Sequence, residues 1–296
     1  MNFGQVVTAM VTPFDANGEI DFQATKQLTE HLIANGTDAL VVAGTTGESP
    51  TLSTEEKVQL FKFVTETAAG RVPVIAGTGS NDTRASIELT RRAEEAGVDA
   101  IMLVTPYYNK PSQEGMFQHF KAIAEATGLP VMLYNIPGRS IVNLSVDTVV
   151  RLSAIDNIVS IKEASGNLDA AAEIIERTPE NFTLYSGDDG LTLPLLSIGA
   201  AGIVSVAAHI IGNDMQEMIN SFKQGDVRTA ADKHRKLLPV MNALFAAPNP
   251  VPVKTALQLS GIQVGGVRLP MIPLTKEETI TLRKSLPLSD INAVTN

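Results

Sequence analysis

The sequence predicts an α/β protein: a (β/α)8 TIM barrel with a C-terminal helical subdomain. Three observations point there. Eight short apolar or β-branched runs recur along the chain. Helical patterns with recognisable start signals lie between them. The runs stop at eight, and each is nearly continuously apolar, as strands buried on both faces are. A closed parallel barrel explains this better than a doubly wound open sheet, the weaker alternative. Such barrels take about 250 residues, which leaves an appendage in a chain of 296 residues.

The runs are Val6–Val11, Ala39–Ala43, Val72–Ala76, Ala100–Val104, Pro130–Tyr134, Ile158–Lys162, Phe182–Tyr185 and Gly202–Val206. Ser53 opens one intervening helix, with Glu55 and Glu56 in its first turn and Val58, Leu60, Phe61 and Val64 as its apolar stripe. Asn81 or Asp82 caps the next, Ser112 or Glu114 begins another, and Ser145 and Asn167 serve the two after that. Pro73, Pro130 and the glycines before several strands stop helices. From Gly212 onward the sequence is helix-like, punctuated by Gly225, Pro239, Pro248, Pro250, Pro270 and Pro273, with no ninth strand. The chain is therefore expected to divide into a barrel core, residues 1–211, and a helical extension, residues 212–296, packed on the barrel or serving an oligomer contact.

Composition narrows the functions. With no cysteine, disulfides, thiolate metal sites and catalytic thiols are all excluded, as suits a reducing compartment. A net charge of −9 without a basic stripe argues against nucleic acid and anionic lipid as partners. It also disfavours anionic substrates, except where a specific cation waits for them. No basic leader precedes the first apolar run and no long apolar span follows, so the expected location is cytoplasmic.

The chemistry centres on Lys162, the only lysine at the end of a β-branched apolar run. A buried strand would carry its amine out of water, lower its pKa and leave a usable fraction neutral. A neutral amine is a nucleophile, and attack on a ketone or aldehyde to form a Schiff base is the reaction that most often justifies such a residue. The bland alternative is a core ion pair, for instance with Glu163, although neighbours along a strand point to opposite faces.

Active sites of barrels lie at the carboxyl ends of the strands. That ring contains Thr8, Ala9, Thr12 and Pro13; then Gly44-Thr45-Thr46-Gly47-Glu48, a turn suited to cradling a carboxylate; then Gly77-Thr78-Gly79, which lacks the last glycine of a dinucleotide fingerprint. It continues with Tyr107-Tyr108-Asn109-Lys110-Pro111, Tyr134 to Arg139, Lys162, Ser186-Gly187-Asp188-Asp189 and Ser205. The chain has 4 tyrosines, and Tyr107, Tyr108 and Tyr134 all fall in this ring. A phenol shuttles protons if a relay supports it, and Thr45 offers a hydroxyl; amphipathic core packing is the alternative. Arg139 has the fork for bidentate carboxylate binding. His31, His119, His209 and His234 are scattered, and Asp188 and Asp189 diverge as strand neighbours do, so no metal is expected. The same acidic pair makes sugar phosphates poor candidates. Together these residues describe a site where two small carboxylates are joined through an enamine.

These motifs, in this order and over essentially the whole chain, closely resemble the dihydrodipicolinate synthase (4-hydroxy-tetrahydrodipicolinate synthase) family, pyruvate-dependent class I aldolases of the N-acetylneuraminate lyase superfamily. The resemblance implies an imine between Lys162 and pyruvate, with Tyr134 as proton donor and acceptor and Thr45 and Tyr108 completing its relay. It implies that Thr46, Gly187 and the backbone at Val204 hold pyruvate, and that Arg139 binds the carboxylate of L-aspartate 4-semialdehyde. It further implies a homotetramer built as a dimer of dimers, with the second tyrosine of the pair supplied across an interface, no cofactor beyond the covalent imine, and a place in the diaminopimelate route to lysine. In relatives inhibited by lysine the effector sits near the positions here of Ser49, Pro50, Thr54, Lys57, Asn81, Ala85 and Tyr107. This chain has Ala85 where a carboxylate would be expected, and Thr54 and Lys57 in place of histidines, so weak or absent lysine inhibition is expected. An N-acetylneuraminate lyase or keto-deoxy-sugar aldolase would share Lys162 and Tyr134, but Arg139 and the Thr45-Thr46 pair favour the synthase. A non-catalytic carbonyl-binding barrel is the remaining alternative.

Overall fold

A computed structural model describes residues 3–287. Eight parallel strands close into a barrel in sequence order: β1 (Val6–Ala9), β2 (Ala39–Val42), β3 (Val74–Gly77), β4 (Ala100–Val104), β5 (Val131–Asn135), β6 (Ile158–Glu163), β7 (Thr183–Ser186) and β8 (Gly202–Ser205), with β8 pairing back onto β1. All eight lie at the runs expected from the sequence, within two residues at their starts. Alternation sorts their side chains into two cores. Val7, Val41, Ile75, Met102, Met132, Tyr134, Tyr185 and Val204 fill the barrel, while Val6, Leu40, Val74, Ile101, Leu133, Ile161 and Ile203 face the surrounding helices.

The helices begin where the caps place them. α1 (Phe22–Ala34) is capped by Asp21, α2 (Thr54–Ala68) by a reciprocal Ser53–Glu56 box, and α3 (Thr83–Glu95) by Asp82. Ser112 caps α4 (Gln113–Ala124), Ser145 caps α6 (Val146–Ser153) and Asn167 caps α7 (Leu168–Arg177). Between α4 and α6 a single turn, α5 (Pro137–Ser140), follows β5, and α8 (Thr192–Ser197) lies between β7 and β8. Each capping side chain satisfies a backbone N–H that has no partner within its helix.

Beyond β8 every regular element among the described residues is a helix: α9 (Ala208–Lys223), α10 (Val227–Ala243), α11 (Val251–Leu259) and α12 (Lys276–Ser285). α9 is kinked at Ile211, whose backbone is non-helical. Pro239, read from the sequence as a break, lies inside α10. Buried Leu237, Val240 and Met241 on either side of it carry the helix through by tertiary packing. The connection from α11 to α12, by contrast, is not helical. It doubles back to the barrel, with Phe14 N donating to the Val264 carbonyl, and Gly265 lies so close that a Cβ there would meet the Phe14 carbonyl oxygen at 1.7 Å.

No helix among the described residues is long and apolar enough to cross a membrane.

Candidate active site

A register shift sets up the site. β5 and β6 pair Val131 with Ile158 but Met132 with Ser160, so Val159 bulges out, and from there Tyr134 lies opposite Lys162 and Asn135 opposite Glu163. A bulge re-aims the side chains that follow it. Here it places Lys162 on the inner face, with its Nζ 4.1 Å from the centroid of the Tyr134 ring. Both residues are buried, at 5% and 3% exposure. Glu163 points away and is occupied elsewhere, accepting from Asn135 Nδ2 at 2.9 Å and Ser165 N at 2.6 Å, so it does not pair with Lys162.

Burial pushes the Lys162 amine down to about 8. Arg139 reinforces that effect, and the negative charge of Asp189 opposes it. Burial also pushes the Tyr134 phenol up to about 12, opposed by Arg139 and by a hydrogen bond with the Thr45 side chain. At neutral pH the site therefore holds an amine with a sizeable neutral fraction beside a phenol that keeps its proton. Gly187 makes room for the lysine: a Cβ there would lie 2.6 Å from Ala164 Cβ and 3.2 Å from Lys162 Cε.

Tyr134 forms part of the wall of a cavity of about 270 Å³, together with Gly44, Thr45, Tyr107 and Arg139. Lys162 does not itself line that cavity; its Nζ lies over the phenol ring of Tyr134, which does. The cavity extends to Ser49, Pro50 and Lys57, so four of the seven positions expected at an effector site, counting Tyr107, share it with the candidate catalytic residues. Thr54 and Ala85 sit at the starts of α2 and α3, and the Asn81 carbonyl accepts from Asn109. Thr46 and Val204 are buried next to this region, Val204 within the barrel.

The structure does not gather all three tyrosines. Tyr107 is 38% exposed and reaches the cavity, whereas Tyr108 is 87% exposed and outside its wall. Tyr108 has φ +72°, in the left-handed region that non-glycine residues seldom adopt. Within one chain the expected relay is therefore Tyr134 and Thr45 alone. Thr8 and Ser205 leave the ring as well. Thr8 bonds Thr37 at 2.7 Å, and Ser205 donates to Asp189 Oδ1 at 2.5 Å. Asp189 is buried. Its other oxygen accepts from the backbone of Val206 and Ala207, which holds the turn that leads into α9, while Asp188 turns aside to accept from Gly190. Asn249, Lys254 and Arg268 belong to no motif legible in the sequence, yet they reach the Gly44–Glu48 turn from the extension. Pro248-Asn249-Pro250 was visible only as punctuation.

A depressed amine beside a protonated phenol inside a (β/α)8 barrel, with a guanidinium on the same cavity wall, fits a class of enzyme: lyases that work on a carbonyl substrate. Residues 2–288 match the dihydrodipicolinate synthetase family. The chain is 63% identical over 287 residues to the 4-hydroxy-tetrahydrodipicolinate synthase of Bacillus subtilis, covering 97% of this chain and 99% of that one. A crystal structure of dihydrodipicolinate synthase from Bacillus anthracis superposes with a TM-score of 0.95 at 64% identity, covering 96% and 98% of the two chains. The chloride-inhibited enzyme of Acinetobacter baumannii, complexed with pyruvate, superposes with a TM-score of 0.94 at 44% identity, covering 98% and 100%. The chain belongs to the dihydrodipicolinate synthetase family, and its activity is that of a 4-hydroxy-tetrahydrodipicolinate synthase, a lyase of lysine and diaminopimelate biosynthesis.

Proposed function

We propose that the chain condenses pyruvate with L-aspartate 4-semialdehyde through an imine on Lys162. Neutral Nζ attacks the ketone carbon, water leaves, and the loss of a methyl proton gives the enamine with the imine as electron sink. The enamine carbon attacks the aldehyde. The amino group of the semialdehyde then displaces Lys162 from the imine carbon, closing the ring and freeing the amine. Tyr134 gives and takes the protons, with Thr45 as its hydrogen-bonding partner and Tyr108 of a second copy completing the relay. Thr46, Gly187 and the Val204 backbone hold pyruvate, and Arg139 binds the carboxylate of the aldehyde. Neither a metal nor an organic cofactor enters this scheme. The assembly is a homotetramer, a dimer of dimers, in the cytoplasm, with residues 1–211 as catalytic core and 212–296 as extension.

The observation that carries this reading is the buried Lys162 amine 4.1 Å from the Tyr134 ring. The outward Tyr108, 87% exposed and outside the cavity wall of its own chain, supports a contribution across an interface. The test is borohydride reduction with pyruvate, followed by intact mass and peptide mapping. The adduct is expected on Lys162 and is expected to vanish in Lys162→Ala; wild-type trapping in that variant removes the scheme. Arg139→Ala should trap pyruvate normally while its KM for the aldehyde rises.

A further inference from the structure

We propose that Asn249 and the buried Lys254–Glu48 pair are positioning residues, through which the helical extension sets the two threonines of the Gly44–Glu48 turn for the keto acid. This rests on the assignment of pyruvate to Thr46 made above.

The turn hangs between two non-glycine residues in the left-handed region, Ala43 at φ +52° and Glu48 at φ +57°. Such backbone persists only where its surroundings over-determine it, and it clusters at functional sites. At Ala43 the barrel itself does so. A Cβ on Gly47 would lie 3.1 Å from Ala43 Cα, a Cβ on Gly77 would lie 2.6 Å from the Ala43 carbonyl oxygen, and Thr12 Oγ1 donates to the Gly47 carbonyl at 2.7 Å. At Glu48 the extension does so. Lys254 Nζ donates to Oε1 at 2.7 Å, and Arg268 N donates to Oε2 at 2.9 Å. Lys254 is itself fixed by the Gly266 carbonyl at 2.6 Å and by the Phe14 ring, 4.2 Å to its centroid.

A third contact reaches the threonine directly. Asn249 Nδ2 donates to Thr46 Oγ1 at 2.9 Å. An amide nitrogen is only a donor, so the hydroxyl accepts there, and its single hydrogen is left to point toward another acceptor. A substrate carboxylate is such an acceptor. Stability explains these contacts poorly. The Lys254 and Glu48 side chains are only 3% and 2% exposed, and apolar replacements of buried pairs are often neutral or stabilising. Asn249 Oδ1, moreover, is buried with no partner. Holding a turn in one geometry accounts for both.

The test uses the full-length chain with Asn249→Ala and Lys254→Met, and with Thr46→Val as reference. The measurements are KM for each substrate, kcat, the borohydride trapping rate at subsaturating pyruvate, and the melting temperature. Asn249→Ala and Lys254→Met are expected to raise the pyruvate KM by about fivefold or more, the size of one lost hydrogen bond. Trapping should slow in proportion, with the aldehyde KM nearly unchanged and the pH midpoint of trapping unmoved. If both variants melt earlier but keep the wild-type pyruvate KM while Thr46→Val raises it, the extension is structural only and the proposal is overturned. If Thr46→Val leaves that KM alone, the assignment of pyruvate to Thr46 fails instead, and the proposal goes with it. Should Lys254→Met not fold, Asn249→Ala decides alone.

Discussion

Replacing Lys162 by Met should make the protein more stable at neutral pH, because an amine that is costly to bury is exchanged for an apolar chain of similar length. The amine falls from 10.5 to about 8 in the folded chain. Between those values the unfolded chain binds more protons than the folded one, so the stability tied to this group is fully present above 10.5 and is lost as the pH falls through 8. At pH 7 the linked cost is about 3 kcal/mol, since each tenfold change in a protonation equilibrium is worth about 1.4 kcal/mol. At pH 10 the folded amine is already neutral and the remaining cost is about 1 kcal/mol. Urea unfolding of wild type and Lys162→Met at both pH values and matched protein concentration measures the two gaps. The variant is expected to be the more stable by about 3 kcal/mol at pH 7, with a gap of about 1 kcal/mol at pH 10. A variant no more stable than wild type at pH 7, or a gap that does not narrow toward pH 10, would refute the view that the lysine is held against its charge.

Four further outcomes are expected. The trapping rate at subsaturating pyruvate should rise about tenfold per pH unit below 8 and level off above about 9, as the neutral amine does; Asp189→Asn removes a charge that holds the amine up and should move that midpoint to lower pH. Tyr134→Phe should leave trapping with pyruvate measurable but lower kcat by about 10²–10⁴-fold, the usual worth of a positioned acid–base group, and near-wild-type turnover would remove the phenol from the proton path. Lysine should inhibit weakly or not at all, since Ala85 supplies no carboxylate and Lys57 brings a like charge to the cavity wall, and half-inhibition at submillimolar lysine would contradict this.

The barrel was legible because its strands are buried on both faces, which leaves uninterrupted apolar runs such as Ala100–Val104, whose bounds the structure reproduces. The caps were legible because Ser53, Ser145 and Asn167 act within three residues of themselves. Lys162 stood out for the same local reason, as a cation ending an apolar run. What stayed hidden depends on distant parts of the chain. The shift that puts Lys162 opposite Tyr134 is a property of a strand pair. Tyr108 is exposed on a left-handed backbone that no sequence pattern announces. Lys254 and Glu48 are 206 residues apart, and no spacing rule links them.

Asp189 ties the site's electrostatics to the fold. Burial alone would depress the Lys162 amine further, giving more neutral base but a weaker one, and a catalytic group works best with its pKa near the operating pH. The carboxylate that limits the depression is not free to drift. Its oxygens are taken by Ser205 and by the backbone N–H groups of Val206 and Ala207 at the start of α9, where negative charge is favoured by the helix dipole. Ser205, in turn, accepts from Ala208 N at 2.8 Å. The charge that sets the reactivity of the amine is thus fixed by the same hydrogen bonds that join β8 to α9. Loosening that junction would change the pH at which Lys162 becomes a nucleophile, even with every residue lining the cavity left as it is.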